Sequence, residues 1–304
     1  MASNNSNKTE LELSIIILSY NTSQLTKETL ESIFVTTQLS PESFEVIVLD
    51  NASSDDSVET IKELQSRHAS IRLMESKVNL GFSKGNNTAV REAKGTYLLF
   101  LNSDIVVQKR GVDNLYAFIK DHPNAAFAGG KLLNADMSPQ SSCGPFYSLP
   151  VVFGALFLRG DYWGLTRYSP DSVKQVDWVS GACLMTTSNV FESVGGFDED
   201  IFMYMEEIDL LYRAQKKNLK TFFVPDARFI HLGSASSKGR TFPIIQVYRG
   251  FLYFYKKHCS SSALFVLKGM LQLKAQVAIL LGKILSKPHL VETYGKAQKM
   301  VDMD

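Results

Sequence analysis

The sequence predicts an α/β fold in which helices flank a mostly parallel central sheet, and three observations lead to this prediction. Apolar runs of strand length alternate with helix-like segments through the first third of the chain. Each run is short and rich in bulky or β-branched residues, as in strands that are buried on both faces. Each run also ends abruptly in polar residues, and parallel α/β sheets bind ligands beyond the carboxyl ends of their strands.

The predicted elements follow one another in this alternating order, with right-handed crossovers between parallel strands. Strands are predicted at residues 13–18, 44–49, 71–75 and 97–101, with helices at 25–36, 57–65 and 87–93 and a loop at 81–85. Further strands are predicted at 125–130, 178–185 and 221–224, with helices at 113–120, 201–213 and 244–257. Residues 133–175 have no clear periodicity and are expected to form long loops.

The composition is that of a soluble globular protein with one large α/β domain or two small ones: 304 residues, 45% hydrophobic and 21% charged. A net charge of +1 gives no signal for a nucleic-acid partner. The three cysteines share no metal-ligand spacing, so a reducing cytoplasmic location is expected. Residues 1–10 are polar, are predicted to be disordered, and lack the apolar segment of a signal peptide.

Polar residues at the strand ends predict a ligand-binding crevice. They are Ser19, Tyr20 and Asn21 after the first strand, Asp50 after the second, and Asn102, Ser103 and Asp104 after the fourth. Their oxygen atoms suit a hard cation such as Mg²⁺ or Mn²⁺ and the phosphate it carries. A carboxylate such as that of Asp50 also suits a ribose or a base edge. Turn formation and helix capping are alternative roles for each residue taken alone.

A glycine-containing stretch at residues 79–87, "NLGFSKGNN", lies between two of these strand tips. Gly81 and Gly85 allow backbone to approach a ligand closely, and Asn79 precedes them. The stretch has neither the Lys-Ser/Thr of a Walker loop nor the G-x-G-x-x-G spacing of a dinucleotide fingerprint. Between Asp50 and Asp104 it predicts a nucleotide site of another kind.

Four motifs in this order resemble glycosyltransferase family 2: "SYN" at 19–21, "DNASSDDS" at 50–57, "NLGFSKGNN" at 79–87 and "LNSD" at 101–104. Enzymes of that family have the GT-A fold and transfer a sugar from a nucleoside diphosphate with inversion. "WVSGACLMTT" at 178–187, "VGGFDEDIFMYMEEIDLLYR" at 194–213 and His231 resemble its rhamnosyltransferase-type branch. The resemblance covers roughly residues 13–257, most of the chain.

The resemblance implies a domain plan and a pair of substrates. A GT-A domain spans residues 11–258, with a nucleotide-sugar half at 11–131 and an acceptor half at 132–258, and a helical tail spans 259–304. The expected donor is dTDP-L-rhamnose, and the expected acceptor is a lipid-linked glycan or polysaccharide of the cell envelope. The loops of residues 133–175 are expected to form a flap on the acceptor side.

Three carboxylates at the start of a predicted helix, Glu206, Glu207 and Asp209, are candidates for acid–base chemistry. Without a nearby lysine they are expected to raise one another's pKa, as a general base requires. Spacing puts Glu206 and Asp209 on one helix face and points Glu207 elsewhere. Helix capping is the alternative. The resemblance implies that Glu207 is the base, where the family usually has Asp, that Glu206 supports it, and that Asp209 lies on the acceptor side.

The strand predicted at 178–185 is expected to return next to the donor. Gly181 and Ala182 are small, so their backbone can lie close to the donor sugar. Trp178 offers a flat apolar face for a pyranose ring, with burial in the core as the alternative.

A divalent metal, Mn²⁺ or Mg²⁺, is the cofactor that the resemblance implies, with Asp104 and His231 contacting the metal or the diphosphate. The family's metal motif is most often Asp-x-Asp, and here Asn102 occupies its first position. One negative charge fewer predicts weak, donor-assisted metal binding. Lys238 and Arg240 lie on a predicted loop that could close over the diphosphate.

The segment 263–285 carries Lys268, Gln272, Gln276 and Lys283 on one helical stripe, with apolar residues over most of the rest. Its uninterrupted apolar stretches are far shorter than the ~20 residues of a spanning helix. Peripheral contact with the inner face of the plasma membrane is one interpretation. A helix packed on the domain, or on the second subunit of a homodimer, is the other.

Three other functions compete with the rhamnosyltransferase hypothesis. A hexosyltransferase that uses a UDP-sugar would have the same site. A nucleotidyltransferase is disfavoured because Asn21-Thr22-Ser23, and no glycine-rich basic segment, follows the first strand. A non-catalytic sugar-nucleotide or glycan-binding module would be expected to lack Glu207, Asp104 or His231, and the chain has all three.

Overall fold

The computed structural model describes residues 11–233 and 241–303. The prediction of a disordered segment at 1–10, and the two basic residues Lys238 and Arg240, lie outside the described residues.

The first half of the chain alternates strands and helices as predicted. Its elements are β1 (Leu13–Ser19), α1 (Ser23–Thr36), β2 (Phe44–Asp50), α2 (Ser57–Arg67), β3 (Ile71–Glu75), α3 (Gly81–Val90), β4 (Tyr97–Asn102), β5 (Ile105–Val107), α4 (Gly111–Asp121) and β6 (Ala125–Leu133). The apolar runs fold as strands because both faces of the sheet are covered: Ile15, Ile16 and Ile17 of β1 are all completely buried.

The second half contains shorter strands, and helices complete the chain. Its elements are β7 (Cys143–Gly144), α5 (Leu149–Phe157), β8 (Lys174–Val176), β9 (Trp178–Val179), β10 (Cys183–Thr187), α6 (Ser188–Val194), α7 (Glu206–Gln215), β11 (Lys220–His231), α8 (Thr241–His258), α9 (Ser261–Ile284) and α10 (Pro288–Met303).

The described strands form one nine-stranded sheet and a small two-stranded one. The large sheet has the order β3-β2-β1-β4-β10-β6-β11-β5, with β8 paired to β11. The first four strands of this order are mutually parallel, and β6 and β11 are parallel to each other. Because β10 lies antiparallel between β4 and β6, these six strands all run in one direction. The carboxyl ends of β1, β2 and β4 therefore meet at one edge, as predicted.

Two apolar cores cover the two faces of this sheet, and the alternation along each strand decides which residue joins which core. On β1, Ile16 joins a core that includes Phe100 and Leu210, whereas Ile15 joins one that includes Leu30. The first of these cores also contains α8 and α9 residues, so the carboxyl-terminal helices share it with the sheet.

The structure corrects four of the predicted elements. The stretch 133–175, expected to form long loops, contains the helix α5 and the short strands β7 and β8. The loop predicted at 81–85 is the first half of α3, which begins at Gly81. The strand predicted at 178–185 is two strands, β9 and β10, joined by residues 180–182. The helix predicted at 201–213 begins only at Glu206, because residues 201–205 form a turn with positive φ angles at Tyr204 (66°) and Met205 (76°).

Candidate active site

Two adjoining cavities open at the edge of the sheet where the strand tips meet. The first has a volume of about 150 Å³ and the second about 460 Å³. Both are lined by Asn102 and Asp104 of the β4 tip, together with Phe82 and Met203. The predicted metal motif therefore lies at the boundary between the two cavities.

The first cavity gathers six of the twelve predicted donor-binding residues. The predicted residues that line it are Tyr20, Asn79, Gly81, Asn102, Ser103 and Asp104. They come from three separate stretches of sequence, and the parallel strands bring them together at one edge.

The wall formed by residues 79–81 is held by Asn51, which the sequence reasoning did not single out. Its Oδ1 accepts a hydrogen bond from the backbone N–H of Leu80 at 2.8 Å, and its Nδ2 donates to Asn79 Oδ1 at 3.0 Å. Gly81 has a φ of +76°, and a Cβ there would lie 2.6 Å from the carbonyl oxygen of Phe202. Only glycine fits this close approach without strain. The position of Asn51 directly after Asp50 was the available signal.

Asp50 and Asn21 do not line the first cavity. Asp50 is 2% exposed; its Oδ2 accepts from the backbone N–H of Ser53, while its buried Oδ1 has no hydrogen-bond partner among the described residues. Asn21 accepts the backbone N–H of Ser54 at 2.7 Å and so ties the β1 tip to the loop after β2.

Two residues predicted to bind the donor have packing roles instead. The side chain of Ser19 is completely buried, within hydrogen-bond distance of Thr26 at 3.1 Å, and is not available to a ligand. Gly85 lies inside α3, where a Cβ would come within 2.9 Å of Leu18 Cδ1. Their place in the predicted donor site is therefore wrong, because both face neighbouring protein elements.

Asp104 and His231 come together as predicted. The strand β11 pairs with β5 so that His231 lies opposite Ile105, and His231 Nε2 is 3.4 Å from Asp104 Oδ1. His231 is the last residue of β11 itself, whereas the sequence reasoning placed it after a strand. Its Nδ1 is 2.7 Å from Gln140 Oε1, a residue that the sequence reasoning missed.

The donor set fits one divalent ion with open coordination positions. Two ligands of the same ion lie roughly 3 Å apart when each is about 2.1 Å from it, close to the separation of Asp104 Oδ1 and His231 Nε2. Within residues 11–233 and 241–303, no group of three or more His, Cys, Asp or Glu side chains is placed to hold a metal. Asp104 and His231 would thus be two protein ligands, with the amide of Asn102 beside them.

The second cavity contains the two glutamates, Glu206 and Glu207. In each of them Oε2 is buried and has no hydrogen-bond partner among the described residues. Burial raises the pKa of Glu206 well above its usual range, and the negative charge of Glu207 raises it further. Burial also raises the pKa of Glu207, but backbone N–H groups at the start of α7 and the charge of Arg167 oppose that rise.

These environments favour different protonation states for the two neighbouring carboxyls. Glu206 is the group that keeps a proton, and Glu207 is the group that releases one more readily. A carboxylate whose pKa is raised toward neutrality is suited to accept a proton from a hydroxyl group.

Asp209 was predicted to lie on the acceptor side, and this prediction is wrong. Its side chain is completely buried away from both cavities and contacts three basic groups. Its Oδ2 accepts from Arg213 Nε at 2.7 Å, and its Oδ1 lies 2.8 Å from Lys257 Nζ and 2.6 Å from His258 Nε2. The prediction failed because Lys257 and His258 come from α8, which is distant in sequence.

Trp178, Gly181 and Ala182 all line the second cavity. Gly181 lies against the base candidate, since a Cβ there would be 3.5 Å from Glu207 Cβ. Trp178 is only 1% exposed, its indole N–H donates to the carbonyl oxygen of Pro145, and Arg167 lies over its ring. It therefore belongs to the core beneath the cavity, and the prediction that its face is open to a sugar is wrong.

Arg167 is a further residue of the second cavity that the sequence reasoning missed. Its Nε is buried and has no hydrogen-bond partner among the described residues, while its Nη2 donates to the carbonyl oxygen of Ser141. Arg167 lies in the aperiodic stretch 133–175, where the sequence offers no spacing that would distinguish it.

The chain is similar to known glycosyltransferases over most of its length. Residues 14–142 match the family model of glycosyl transferase family 2. Rhamnosyltransferase WbbL of Escherichia coli is 30% identical over 182 residues, which cover 56% of this chain and 67% of that protein. The chain therefore belongs to glycosyltransferase family 2.

Two further relatives are 30% identical as well. The low-salt glycan biosynthesis hexosyltransferase Agl10 of Haloferax volcanii matches over 68% of this chain and 63% of its own length. The N-acetylglucosaminyl-diphospho-decaprenol L-rhamnosyltransferase of Mycobacterium tuberculosis matches over 57% of this chain and 62% of its own length. The chain thus matches these two relatives over a little less than two thirds of their lengths.

Solved structures with little sequence identity show the fold. GalNAc-T7 with UDP, GalNAc and Mn²⁺ has a TM-score of 0.62 at 13% identity, over 80% of this chain and 50% of that one. A mannosyltransferase from Pyrobaculum calidifontis with GDP-Man and Mn²⁺ has a TM-score of 0.59 at 16% identity, over 96% and 87%. The chain has the GT-A fold of these glycosyltransferases.

Proposed function

We propose that the protein is an inverting, metal-dependent glycosyltransferase that moves a sugar from a nucleoside-diphosphate sugar to a hydroxyl group of a lipid-linked glycan or polysaccharide. The observation that carries this proposal is the adjacency of two groups of residues. Asp104 and His231 line the second cavity together with Glu206 and Glu207. This cavity adjoins the first cavity, which lies at the strand tips. The first pair suits a diphosphate and its cation, and the second pair suits a hydroxyl nucleophile.

In the proposed reaction Glu207 accepts the proton of the acceptor hydroxyl group. The acceptor oxygen then forms a bond to the anomeric carbon while the bond from that carbon to the diphosphate oxygen breaks, so the nucleoside diphosphate leaves with the bonding electrons. Glu206 stays protonated beside the base and supports it or contacts an acceptor hydroxyl. A bound divalent cation would supply charge neutralisation at the leaving diphosphate. Asp104 and His231 would hold that cation, and Asn102 lies next to them.

The donor cavity would hold the nucleoside diphosphate through Tyr20, Asn79, Ser103 and the backbone near Gly81. Asp50 does not line this cavity, but its buried Oδ1 has no hydrogen-bond partner among the described residues, which supports a contact with the nucleoside. Gly181 and Ala182 would lie along the donor sugar. On this account Asp104→Ala weakens both donor binding and transfer.

We propose dTDP-L-rhamnose as the donor because two of the relatives above are named as rhamnosyltransferases. A UDP-hexose is the second candidate, since another relative is named as a hexosyltransferase. A thermal-shift panel of dTDP-, UDP- and GDP-sugars with Mn²⁺ separates the two. A shift with UDP-hexoses alone would overturn the rhamnose assignment, and nucleoside diphosphate release tests turnover. Binding without release from any donor would indicate a non-catalytic sugar-nucleotide module.

We also propose a cytoplasmic location with peripheral contact at the inner face of the plasma membrane through residues 263–285. By length and composition, the helix α9 is long and apolar enough to cross a membrane. Its most apolar 18 residues have a mean hydropathy of 1.6, and 22% of them are buried. One face packs on the domain through Leu267 and Leu271, which are completely buried. The opposite face exposes Phe265 (78%) and Ile284 (67%) to solvent.

The charge of this region fits an anionic lipid surface. The helix α9 carries three lysines and no acidic residue. It packs against α5, where Lys274 donates to the carbonyl oxygen of Leu156. Soon after α5 come Tyr162 and Trp163, which are 78% and 67% exposed. Aromatic and basic side chains around an apolar helix face are typical of interfacial membrane contact.

Vesicle sedimentation tests this contact without removing the packed face of α9. The triple variant Trp163→Ser, Phe265→Ser, Ile284→Ser should lose binding to anionic vesicles and keep the melting temperature of the wild type. Binding that persists in the variant would contradict a lipid-facing surface here. A wild-type dimer in analytical ultracentrifugation that the variant converts to a monomer would instead assign this face to a second copy of the chain.

A further inference from the structure

We propose that Gln140 is a positioning residue that fixes the tautomer of His231, so that the imidazole presents the lone pair of Nε2 toward Asp104. His231 Nδ1 lies 2.7 Å from Gln140 Oε1, and His231 Nε2 lies 3.4 Å from Asp104 Oδ1. The tautomer follows from the contact at Nδ1 and from the orientation of the Gln140 amide. Its consequence for metal binding rests on the proposed function.

The main chain places Gln140 next to the histidine. After β6 the chain turns at residues 134–138 and comes back alongside it, so that the backbone N–H of Gln140 donates to the carbonyl oxygen of Leu132 at 2.9 Å. Since β6 and β11 are parallel neighbours with Leu133 opposite Ile230, the returning segment passes the end of β11. This turn contains Met137 with a φ of +67°.

A chain of hydrogen bonds determines which way the Gln140 amide points. The carboxylate of Asp136 can only accept, so the hydroxyl proton of Ser138 is committed to it. Ser138 Oγ must then accept from Asn134, whose Nδ2 lies 2.9 Å away. This leaves Asn134 Oδ1 to accept from Gln140 Nε2 at 3.1 Å.

The orientation of the Gln140 amide determines the tautomer of His231. Because Gln140 Nε2 also points at the carbonyl oxygen of His231, at 3.4 Å, the reversed amide would place oxygen against oxygen. Gln140 therefore presents Oε1 to the ring, and His231 Nδ1 must carry the proton that it donates. A neutral imidazole has one N–H and one lone pair, so the lone pair is on Nε2.

This tautomer is the one that a ligand at the junction of the two cavities requires. Metal-binding histidines commonly donate their other ring N–H to a neighbouring oxygen, which fixes the ring and its tautomer. His231 and Asp104 both line the second cavity, whereas Gln140 lies outside it. Gln140 would therefore act on any bound cation only through His231.

The tautomer is measured directly by long-range ¹H–¹⁵N correlation NMR of histidine-labelled, metal-free protein at alkaline pH. The signals of His231 are those that disappear in His231→Asn. We expect the Nδ1–H tautomer in the wild type and in Gln140→Glu, which keeps an oxygen acceptor. In Gln140→Leu the signals should move toward the Nε2–H form. An Nε2–H tautomer in the wild type, or an unchanged tautomer in Gln140→Leu, would overturn the proposal.

The consequence for the cation is measured by electron paramagnetic resonance titration of Mn²⁺ with nucleoside diphosphate present. Gln140→Leu should weaken Mn²⁺ binding by about 10- to 100-fold, and Gln140→Glu should restore most of it. Gln65→Leu, on an exposed position of α2, is the matched control and should bind as the wild type does. If the wild type binds no Mn²⁺, the metal role of His231 fails, and the NMR result still decides the role of Gln140.

Discussion

The helix α7 carries acidic side chains in two different electrostatic environments, which shift their pKa values in opposite directions. Glu206 and Glu207 face a cavity, and each has a buried oxygen without a hydrogen-bond partner among the described residues. Asp209, in the same first turn, contacts Arg213, Lys257 and His258. Burial would raise the pKa of Asp209, but hydrogen bonds from His258 and Lys257 and the charge of Arg213 hold it well below its usual range. The same burial raises the pKa values of Glu206 and Glu207.

The difference shows what separates a structural carboxylate from a reactive one on the same helix. Asp209 links α7 to α8, and Arg213 further donates to the carbonyl oxygens of Val194 and Gly196. The network holds the helix in place, and its first turn carries the two glutamates into the cavity. Asp209 thus anchors the first turn of α7, and Glu206 and Glu207 of the same turn face the cavity.

Removal of the Asp209 carboxylate, which three basic groups contact, should have the largest effect on stability. Asp209→Ala leaves Arg213, Lys257 and His258 without their shared buried partner, and we expect a loss of about 3–5 kcal/mol in the free energy of unfolding. Urea denaturation measures this loss. The exposed Glu292, which pairs with Lys296 on α10, provides the control, and Glu292→Ala should unfold near the wild-type midpoint. Equal midpoints for the two variants would contradict the structural role of Asp209.

Replacing Glu206, the buried glutamate that keeps its proton, should act in the opposite direction. The folded-state pKa of Glu206 is raised, so the folded protein keeps a proton that the unfolded chain loses above about pH 4.3. Wild-type stability therefore falls as pH rises from that value toward the folded pKa, and Glu206→Gln escapes this loss. The melting temperature of Glu206→Gln should exceed that of the wild type, and by more at pH 8 than at pH 5. A constant difference across this range would count against a buried, protonated Glu206.

Removal of Arg167, which lines the cavity with Glu206 and Glu207, should have the smallest effect on stability and a clear effect on pH dependence. Arg167 lowers the pKa of Glu207, so Arg167→Gln should raise it. The base then stays protonated to higher pH, and the acidic limb of the pH–rate profile moves upward. Arg67→Gln, which removes an exposed arginine on α2, should leave the profile unchanged. An unmoved limb in Arg167→Gln would show that Arg167 does not act on the base.

The sequence predicted the elements and the strand tips well for a physical reason. Continuous apolar runs mark buried parallel strands, and the carboxyl ends of these strands meet at one edge for any loop conformation. Tyr20, Asn79, Gly81 and Asp104 therefore reached the same cavity as expected.

The failures share a cause, because each depends on a partner from a distant part of the chain. Asp209 contacts Lys257 and His258 of α8, and Trp178 contacts Pro145 and Arg167. Gln140 reaches His231 because β6 and β11 are neighbours. Arg167 lies in a stretch with no periodicity. Spacing along the sequence carries no information about such contacts.

The rate of sugar transfer by the Glu207→Gln variant tests the central claim, that Glu207 is the general base, most directly. The substitution keeps the shape of the side chain and removes its ability to accept a proton, so sugar transfer should fall by about 10²- to 10⁴-fold. The thermal shift with donor and Mn²⁺ should stay close to that of the wild type, because Glu207 lines the second cavity only. Glu207→Asp, which restores a carboxylate, should recover part of the transfer. Transfer at the wild-type rate in Glu207→Gln would contradict the assignment of Glu207 as the base.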